Sequence, residues 1–480
     1  MILRIMAHEW RLLSREAVLY FALPIYALLL AYGVMSGSQW KHFLQTNTAE
    51  ATRLADAGIQ AKVDKLDRIL AGEEVASFGE DPRVAAPYSR WKGYEMAAKP
   101  PSPTAAIAVG QSDVVPSYLK VQWKAMFKQT SVEEIENPEN LGVGPFDLSF
   151  VLVYLYPLLI IALSYNILAA ERENGTQVLL LSQPVSLAQF VTGKILLRGI
   201  LVVGMAAGIS LVGLVLSNPD IVAAGQFWRI GMLGAVLVLY GAFWFGLAVV
   251  VNAFGKKSST NAFVMLASWI ALVLIVPAAL NLLAKSLYPL PSRIELVQAL
   301  RKASDQAIAD SGFKRPYRPD LLRKGEEAAF EGTNFDFYSK LLPLEQEGER
   351  RVFPLFDNFN AQRRAQQELT SQFKYLSPAA VAQLALIELA NHSSDNFNDF
   401  NAQVERYHQS WRDFFLPKVM ANELLTREEM RNVPRFVYVP EPDDVVVARL
   451  LRDVAGLSVL TALTLLGGFL RLRRYPAVGQ

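Results

Sequence analysis

Residues 18–36 carry the sequence VLYFALPIYALLLAYGVMS, an almost unbroken apolar run that follows the basic residues Arg4, Arg11 and Arg15. A helix needs about 20 apolar residues to cross a hydrocarbon core, where every backbone polar group must be bonded internally. The run therefore predicts a membrane-spanning helix. It lacks a small-residue cleavage site and is long for the apolar part of a signal peptide, so we expect it to be retained.

Five further apolar blocks of similar length predict a chain that crosses the membrane six times. The predicted spans are residues 18–36, 147–170, 190–216, 230–254, 262–284 and 450–470. Between them lie two long polar stretches that read mostly as helix. The expected fold class is an all-α membrane protein with six transmembrane helices and two large, mainly helical extracytoplasmic insertions.

These spans divide the chain into five predicted units. They are residues 1–36, an N-terminal interfacial helix and the first span; 37–146, a first extracytoplasmic domain; 147–284, spans two to five with a cytoplasmic link at 171–189; 285–449, a second extracytoplasmic domain; and 450–480, the last span and a basic tail. Residues 40–70 continue the first span with a helical apolar period. In the second insertion, helices are expected at 291–310, 358–375, 378–390 and 395–418, interrupted by Pro316, Pro319, Pro343 and Pro354.

The short connections set the expected orientation, because Lys and Arg near span ends favour the cytoplasm. Basic residues of this kind are Arg4, Arg11, Arg15, Lys194, Arg198, Lys256, Lys257, Arg471, Arg473 and Arg474. All of them fall on one side of a six-span chain. Both termini are therefore expected in the cytoplasm and both insertions outside it, in the inner membrane of a bacterium.

The composition of the chain argues against several classes of function. The 480 residues have a formal net charge of +2, too small to indicate a nucleic-acid partner, and they contain no cysteine. The near absence of ionisable groups inside the predicted spans argues against a carrier built on intramembrane carboxylates. Asn166 and Asn252 are expected to hydrogen-bond between helices. Close helix packing is expected at Gly204, Gly208, Gly213, Gly241 and Gly246.

Two features of the outer insertions and one turn could carry chemistry. The apolar stretch 379–389 fits either the membrane interface or a domain core. His392 and His408 match no metal-ligand spacing and are expected to be surface residues. The turn at Gly255 resembles a phosphate-binding loop only superficially, because Val250 stands where that loop needs a glycine. No cofactor is therefore expected in this chain.

The most informative short motif is Glu171-Arg172-Glu173-Asn174-Gly175-Thr176, directly after the second span. An apolar run follows it and ends at Pro184. Charges beside a span, a glycine that permits a turn and an apolar run predict a short amphipathic element on the cytoplasmic face. An ordinary charged turn between two helices is the alternative.

In this segment and in its six spans the chain resembles the type 2 permease family of ATP-binding-cassette (ABC) transporters. The resemblance implies that the link 171–189 is a coupling element that docks on separate cytoplasmic ABC ATPase subunits. By the same resemblance, Glu171, Glu173, Gly175, Thr176 and Pro184 belong to that element, and residues 1–15 form an interfacial connecting helix. ATP and magnesium would be bound by the partner ATPase, and the permease would pair with a second copy or a paralogue.

The expected function is thus a membrane-spanning permease subunit that couples ATP hydrolysis by a separate ATPase to substrate movement or to conformational work outside the membrane. The large insertions depart from the compact outer segments common in this family, and they suggest a further partner in the periplasm. One alternative is a mechanotransmitting or signalling component that moves its outer domains without translocating substrate. Another is a membrane-tethered periplasmic enzyme.

Overall fold

The computed structural model describes residues 1–76, 79–123, 146–176, 185–312 and 334–475. Its longer helices are α1 (Ile2–Leu13), α2 (Ala17–Leu70), α3 (Leu148–Glu173), α4 (Leu187–Ser217), α5 (Phe227–Asn252), α6 (Ser258–Leu287), α7 (Arg293–Asp310), α8 (Asn334–Phe373), α9 (Pro378–Leu389), α10 (Ser394–Ala421) and α11 (Asp443–Leu472). Turns of π-helix interrupt α3 at Val151–Leu155 and α6 at Ile270–Ile275. Shorter helices cover Ala85–Pro87, Asp220–Ala223 and Arg427–Arg431.

Among the described residues, six helices are long and apolar enough to cross a membrane: α2, α3, α4, α5, α6 and α11. Each coincides with one of the six predicted spans, although α3 begins one residue after its predicted start and α5 ends two residues before its predicted end, so the predicted fold class is confirmed. A small antiparallel sheet is added in the first insertion, where β1 (Glu95–Ala98) pairs with β2 (Tyr118–Val121).

Helix α5 lies at the centre of the spanning bundle, in contact with α3, α4 and α11. Its sequence is apolar on all sides, as expected of a helix surrounded by others. At Gly246 an added Cβ would lie 2.7 Å from the Thr464 hydroxyl of α11, and at Gly241 it would collide with Tyr156 of α3. Close packing at these two glycines is confirmed.

The glycines of α4 behave differently. An added Cβ on Gly213 would make ordinary contact with Val34 of α2 at 3.4 Å, whereas at Gly204 and Gly208 it would meet no described atom within 4 Å. The expected close packing at Gly204 and Gly208 therefore has no partner among the described residues. Their spacing places both on one helix face, but α4 turns a different face to α2 and α5.

Helix α2 has 54 residues and is about 80 Å long at 1.5 Å per residue. Its outer half buries one side chain at every third or fourth position, namely Leu44, Thr48, Ala51, Ala55, Ile59, Val63 and Leu66. This spacing is the apolar stripe that the sequence predicts for residues 40–70. The first span therefore continues beyond the spanning bundle as one helix.

The two insertions share a hydrophobic core. Trp123 of the first insertion and Trp411 and Phe415 of the second lie in one buried cluster, which also includes Leu66 of α2. Hydrogen bonds join the same parts: the Trp411 indole donates to the Ser89 carbonyl at 3.2 Å. We call the described parts of residues 41–123, 293–373 and 394–442 the insertion domain. The predicted boundaries of two separate outer domains remain a prediction.

Helix α9 closes the end of the bundle nearest the insertion domain. Seven residues of α9 and its C-terminal end belong to the main hydrophobic cluster of the bundle: Ala379, Val381, Ala382, Ala385, Leu386, Leu389 and Ala390. Ser377 caps the helix by accepting from the Ala380 amide at 3.0 Å, and its hydroxyl donates to the Leu272 carbonyl of α6. For the apolar stretch 379–389 the sequence allows either the membrane interface or a domain core. The structure places it in the core of the spanning bundle.

Two expected breaks in the second insertion are absent from the structure. Pro343 and Pro354 lie inside α8, which continues through both of them. Packing of α8 against α7, with Ala303 facing Val352 and Phe356, offsets the lost backbone hydrogen bonds. Pro316 and Pro319 lie outside the described residues.

Candidate functional site

Both described chain ends meet the short links at one end of the bundle. A hydrophobic cluster there joins the end of α3, the start of α4, the end of α5 and the end of α11; its buried members are Ile167, Leu168, Phe190, Val191, Val249, Ala253 and Leu472. Ile5 of α1 packs against it. We call the surface formed by α1, residues 167–176, the start of α4, residues 253–257 and residues 472–475 the terminal face.

Glu171 lies in the last turn of α3 and is half-buried on the terminal face. Its carboxylate accepts a hydrogen bond from Lys194 Nζ of α4, with Oε1 at 2.9 Å. The Thr176 hydroxyl folds back to the Glu171 carbonyl oxygen at 3.1 Å and also donates to the Glu171 carboxylate. The motif is thus held against α4.

Behind Glu171 lies a buried group of charges. Glu9 of α1 is 1% exposed, and its Oε1 accepts from Arg198 Nε of α4 at 2.8 Å. Lys194 Nζ lies 3.4 Å from Glu9 Oε2, so the lysine is shared between Glu9 and Glu171. Arg198 also donates to the Leu163 carbonyl oxygen of α3. We call Glu9, Glu171, Lys194 and Arg198 the terminal charge cluster; it ties α1, α3 and α4 together.

Glu173 makes a second connection, to the start of α6. Its Oε1 accepts from the Ser258 amide at 2.7 Å and its Oε2 accepts from the Ser258 hydroxyl at 2.7 Å. A carboxylate at this position satisfies a free amide at a helix N-terminus and complements the helix dipole. Arg172 donates to the Gly255 carbonyl oxygen in the preceding turn. The end of α3 is therefore bonded to the turn between α5 and α6.

Gly175 has φ +72°, and a Cβ added there would meet no described atom within 4 Å. The backbone conformation, rather than crowding, requires glycine at this position. The residues from Glu173 to Thr176 are exposed on the terminal face. Pro184, the last of the five predicted coupling residues, lies in the segment 177–184, outside the described residues.

Asn252 confirms its expected role between helices. Its side-chain amide donates to the Ser164 carbonyl of α3 at 3.1 Å, and its oxygen accepts from the Leu168 amide at 3.2 Å and from Asn261 of α6 at 3.2 Å. Three helices therefore meet at one buried amide. Asn166 also bonds between helices, because its side-chain oxygen accepts from Arg198 Nη1 of α4 at 3.5 Å.

The two histidines of the second insertion are buried, which contradicts the expected surface positions. His392 is 2% exposed, with Nδ1 2.8 Å from the Ala108 carbonyl oxygen. Burial, with the nearby Lys99 charge, lowers the pKa of His392 to about 3, so its ring is neutral. His408 lies 3.3 Å from the Trp123 carbonyl oxygen. The residues around each histidine are polar and therefore suggest exposure. The sequence does not show that the first insertion packs against both imidazole rings.

Sequence reasoning missed Glu9 and treated Lys194 and Arg198 only as orientation markers. Two signals were present. Lys194 and Arg198 are four residues apart and so share one helix face. Glu9 is an acid within an otherwise basic N-terminal helix whose first turn carries no acidic residue. Neither signal identifies the partner, because 189 positions separate Glu9 from Arg198.

Comparison with known proteins gives a family match and two relatives. The model of the ABC-2 family transporter proteins matches residues 5–421. A Pseudomonas aeruginosa protein named "Probable ABC transporter permease protein NosY" is 29% identical over 139 residues, which cover 28% of this chain and 50% of that protein. The protein of the same name from Stutzerimonas stutzeri is 27% identical over 131 residues, 27% of this chain and 48% of its own length. The chain thus spans about half the length of the curated relatives it matches.

Proposed function

The chain belongs to the ABC-2 transporter family, and on that premise we propose that it is the membrane-spanning permease subunit of an ATP-driven transporter. In this proposal it pairs with a second permease copy or a paralogue, and separate ATPase subunits dock on the terminal face. That face is cytoplasmic, as the basic residues at the short connections favour. ATP and magnesium are bound by the partner, and the isolated chain binds no nucleotide.

The terminal charge cluster is the observation that carries the proposal. Glu171 belongs to the segment that would receive the ATPase, and it is bonded to Lys194, which is shared with Glu9. A displacement of residues 171–176 would therefore act on α4 and α1 through ion pairs that are shielded from water, where electrostatic interactions are stronger. Glu173 offers a second route, since its hydrogen bonds reach the first residue of α6.

A charge reversal at Glu171 would be a poor test of docking, because Glu171 already has a partner inside the chain. A sharper design separates docking from transmission. Asn174→Trp adds bulk to an exposed position of the motif, while Lys194→Met removes the internal link. We expect Asn174→Trp to reduce co-purification of the cognate ATPase. Lys194→Met should co-purify normally but lose stimulation of ATP hydrolysis.

The matched control is Lys65→Met on α2, which removes a lysine bonded to Glu74 and Glu80 in the insertion domain. It should leave both co-purification and stimulation at the wild-type level. Normal stimulation in a folded Lys194→Met protein would contradict transmission through this cluster. Unchanged binding in Asn174→Trp would contradict docking at the motif. Co-purification thus tests docking and stimulation of ATP hydrolysis tests transmission, so either proposal can be contradicted without the other.

Orientation has its own test, which the cysteine-free sequence makes simple. Glu73→Cys lies three residues beyond the outer end of α2, and Lys256→Cys lies in the turn before α6; both positions are exposed. In intact spheroplasts an impermeant maleimide should label the first variant and leave the second unlabelled until the membrane is opened. The reverse pattern would overturn the proposed topology.

A mechanotransmitting function remains the second candidate, and the insertion domain favours it. Its shared core is built on the outer half of α2, and α9 is joined to the bundle on several sides. The Leu389 carbonyl accepts from Arg229 of α5 at 3.1 Å and from Thr104 at 2.6 Å. Motion of the spans would thus move the insertion domain. An ATP-driven change in the distance between spin labels at Glu73→Cys of the two copies, without substrate flux in sealed proteoliposomes, would favour this function.

A further inference from the structure

A groove of about 770 Å³ lies between α2 and α4, in the half of these helices nearest the insertion domain. Its walls include Met35, Gln39, His42, Ile209, Gly213 and Ser217. Ligand sites typically have volumes of about 300–1,000 Å³. Because both walls belong to candidate spans, an occupant would enter from the bilayer.

The groove gains polar groups toward the insertion domain. Met35 and Ile209 line its far part, whereas Gln39, His42 and Ser217 line the part nearest the insertion domain, together with the apolar Phe43 and Leu216. On α2 the lining runs from Ala31 to Phe43, a rise of about 18 Å at 1.5 Å per residue. One leaflet is half of a hydrocarbon core of about 30 Å. Residues 31–36 of this wall belong to the predicted first span, so the groove enters about 8 Å, or half, of one leaflet, and its end with Gln39 and His42 lies at the membrane surface.

The polar end offers hydrogen bonds rather than a strong cation. Gln39, His42 and Ser217 are exposed, and the described lining includes neither lysine nor arginine. Lys41, the nearest lysine on α2, points away from the groove and lies 2.5 Å from Asp220 Oδ2. A zwitterionic headgroup fits this end better than an anionic one, because an excess negative charge would have no ion-pair partner there.

The groove has a wall that is fixed before any ligand binds. Ser38, which also lines the groove, accepts from the Asn218 amide at 3.1 Å, and Lys41 Nζ lies 3.2 Å from the Asn218 oxygen. These bonds join α2 to the residues that follow α4. A preformed site loses less conformational freedom on binding than a mobile one.

We propose that this groove binds one zwitterionic phospholipid from the leaflet nearest the insertion domain. Its acyl chain lies along Met35 and Ile209, and its headgroup lies among Gln39, His42 and Ser217. A helix from a second copy is the rival occupant. Gln39, His42 and Ser217 favour the lipid over that helix, because a headgroup supplies hydrogen-bond partners for these side chains whereas a spanning helix presents mostly apolar ones.

The test fills the groove in the full-length protein. Gly213→Leu can be accommodated, because its Cβ would make only ordinary contact with Val34, and its branches would then occupy the groove. The matched control is Gly208→Leu, on the same helix but facing open space. Both proteins are reconstituted in nanodiscs of phosphatidylethanolamine and phosphatidylglycerol in equal amounts, extracted into mild detergent and analysed by native mass spectrometry.

We expect the wild type and Gly208→Leu to retain one phosphatidylethanolamine. Gly213→Leu should retain about tenfold less, the change expected when roughly two methylene groups lose their contacts. Equal loss in both variants would mean general annular lipid and would overturn the site. A dimer that dissociates only in Gly213→Leu, with lipid retention unchanged, would assign the groove to a second copy instead.

A headgroup variant keeps the proposal testable if Gly213→Leu folds poorly. Gln39→Leu leaves the apolar part of the groove intact and removes a hydrogen-bonding group from its polar end. We expect the retained lipid to lose its enrichment in phosphatidylethanolamine over the bulk bilayer. Retention of phosphatidylglycerol in preference to phosphatidylethanolamine by the wild type would contradict the proposed headgroup chemistry.

Discussion

Buried charge at the two ends of α4 is stabilised in different ways. At the terminal face, Lys194 and Arg198 meet two carboxylates, and the Glu9 side chain is only 1% exposed. At the other end, Lys41 meets the single carboxylate of Asp220, whose side chain is 43% exposed. An exposed carboxylate can return to water when its partner is lost, whereas a buried one cannot. The terminal charge cluster is therefore expected to hold α1, α3 and α4 firmly together. The contact between Lys41 and Asp220 is expected to stabilise the protein less.

A third buried cation extends this comparison. Lys99 of the first insertion is 4% exposed and donates to the Asn391 carbonyl at 2.6 Å, with its ammonium 4.4 Å from the centre of the Phe397 ring. These partners are a carbonyl dipole and a ring face, not a carboxylate. The three sites thus form a series, from a buried cation paired with carboxylates to Lys99, which has no direct anionic partner among the described residues.

The largest effect is expected at Arg198. Arg198→Met leaves the Glu9 carboxylate buried with only the more distant Lys194, and breaking a buried pair in this way costs about 3–5 kcal/mol. The free energy of unfolding, followed by tryptophan fluorescence in detergent, should fall by that amount. The double variant Glu9→Met with Arg198→Met removes both charges and should recover much of the loss. Simple additivity of the two single variants would contradict a joint buried cluster.

A smaller loss is expected at Lys41. Lys41→Met removes the donor to Asp220, Asn218 and the Pro103 carbonyl. Asp220 can regain water, so the cost is set by the less exposed polar partners, about 1–3 kcal/mol. The same unfolding measurement applies, with the exposed pair variant Arg53→Met as a control that should change little. A loss equal to that of Arg198→Met would remove the distinction between the two ends of α4.

Lys99 should give stability an unusual pH dependence. Burial lowers the pKa of Lys99 to about 8, although the Glu388 charge partly opposes the shift. An unfolded lysine keeps its proton up to about pH 10.4. Between these values the unfolded state binds more protons than the folded state, so the free energy of unfolding rises with pH, by at most about 1.4 kcal/mol per unit. Lys99→Met should lack this rise, and parallel wild-type and variant curves from pH 7 to 10 would contradict it.

Much of the fold follows from local patterns in the sequence. Apolar length predicts all six spans, and the spacing of residues 40–70 predicts the extension of α2 beyond the bundle. These patterns are sufficient because each depends on neighbouring residues and on the thickness of a bilayer. The order of the six spans and the fold class could therefore be predicted without any knowledge of tertiary contacts.

The missed features depend on distant residues. Glu9 gains its role only through Arg198, and His392 is covered only because the first insertion folds onto the second. Pro343 illustrates the same limit, since packing between α7 and α8 overrides a local helix-breaking signal. For the candidate site, the motif could be found from its residue types, but not the internal partners that would transmit its movement.

The smallest predicted effect concerns Gly204, where the sequence could not show whether another helix packs. Gly204→Ala places a methyl group where no described atom lies within 4 Å, and replacing a helical glycine by alanine favours the helix by about 0.5–1 kcal/mol. The variant should unfold at a slightly higher temperature than the wild type. Gly246→Ala is the contrast, because its Cβ would lie 2.7 Å from Thr464 and should therefore destabilise the protein. A loss of stability in Gly204→Ala would show that a second chain packs on that face of α4 in the assembled protein, and the comparison of buried and open glycines would then have to be made on the dimer.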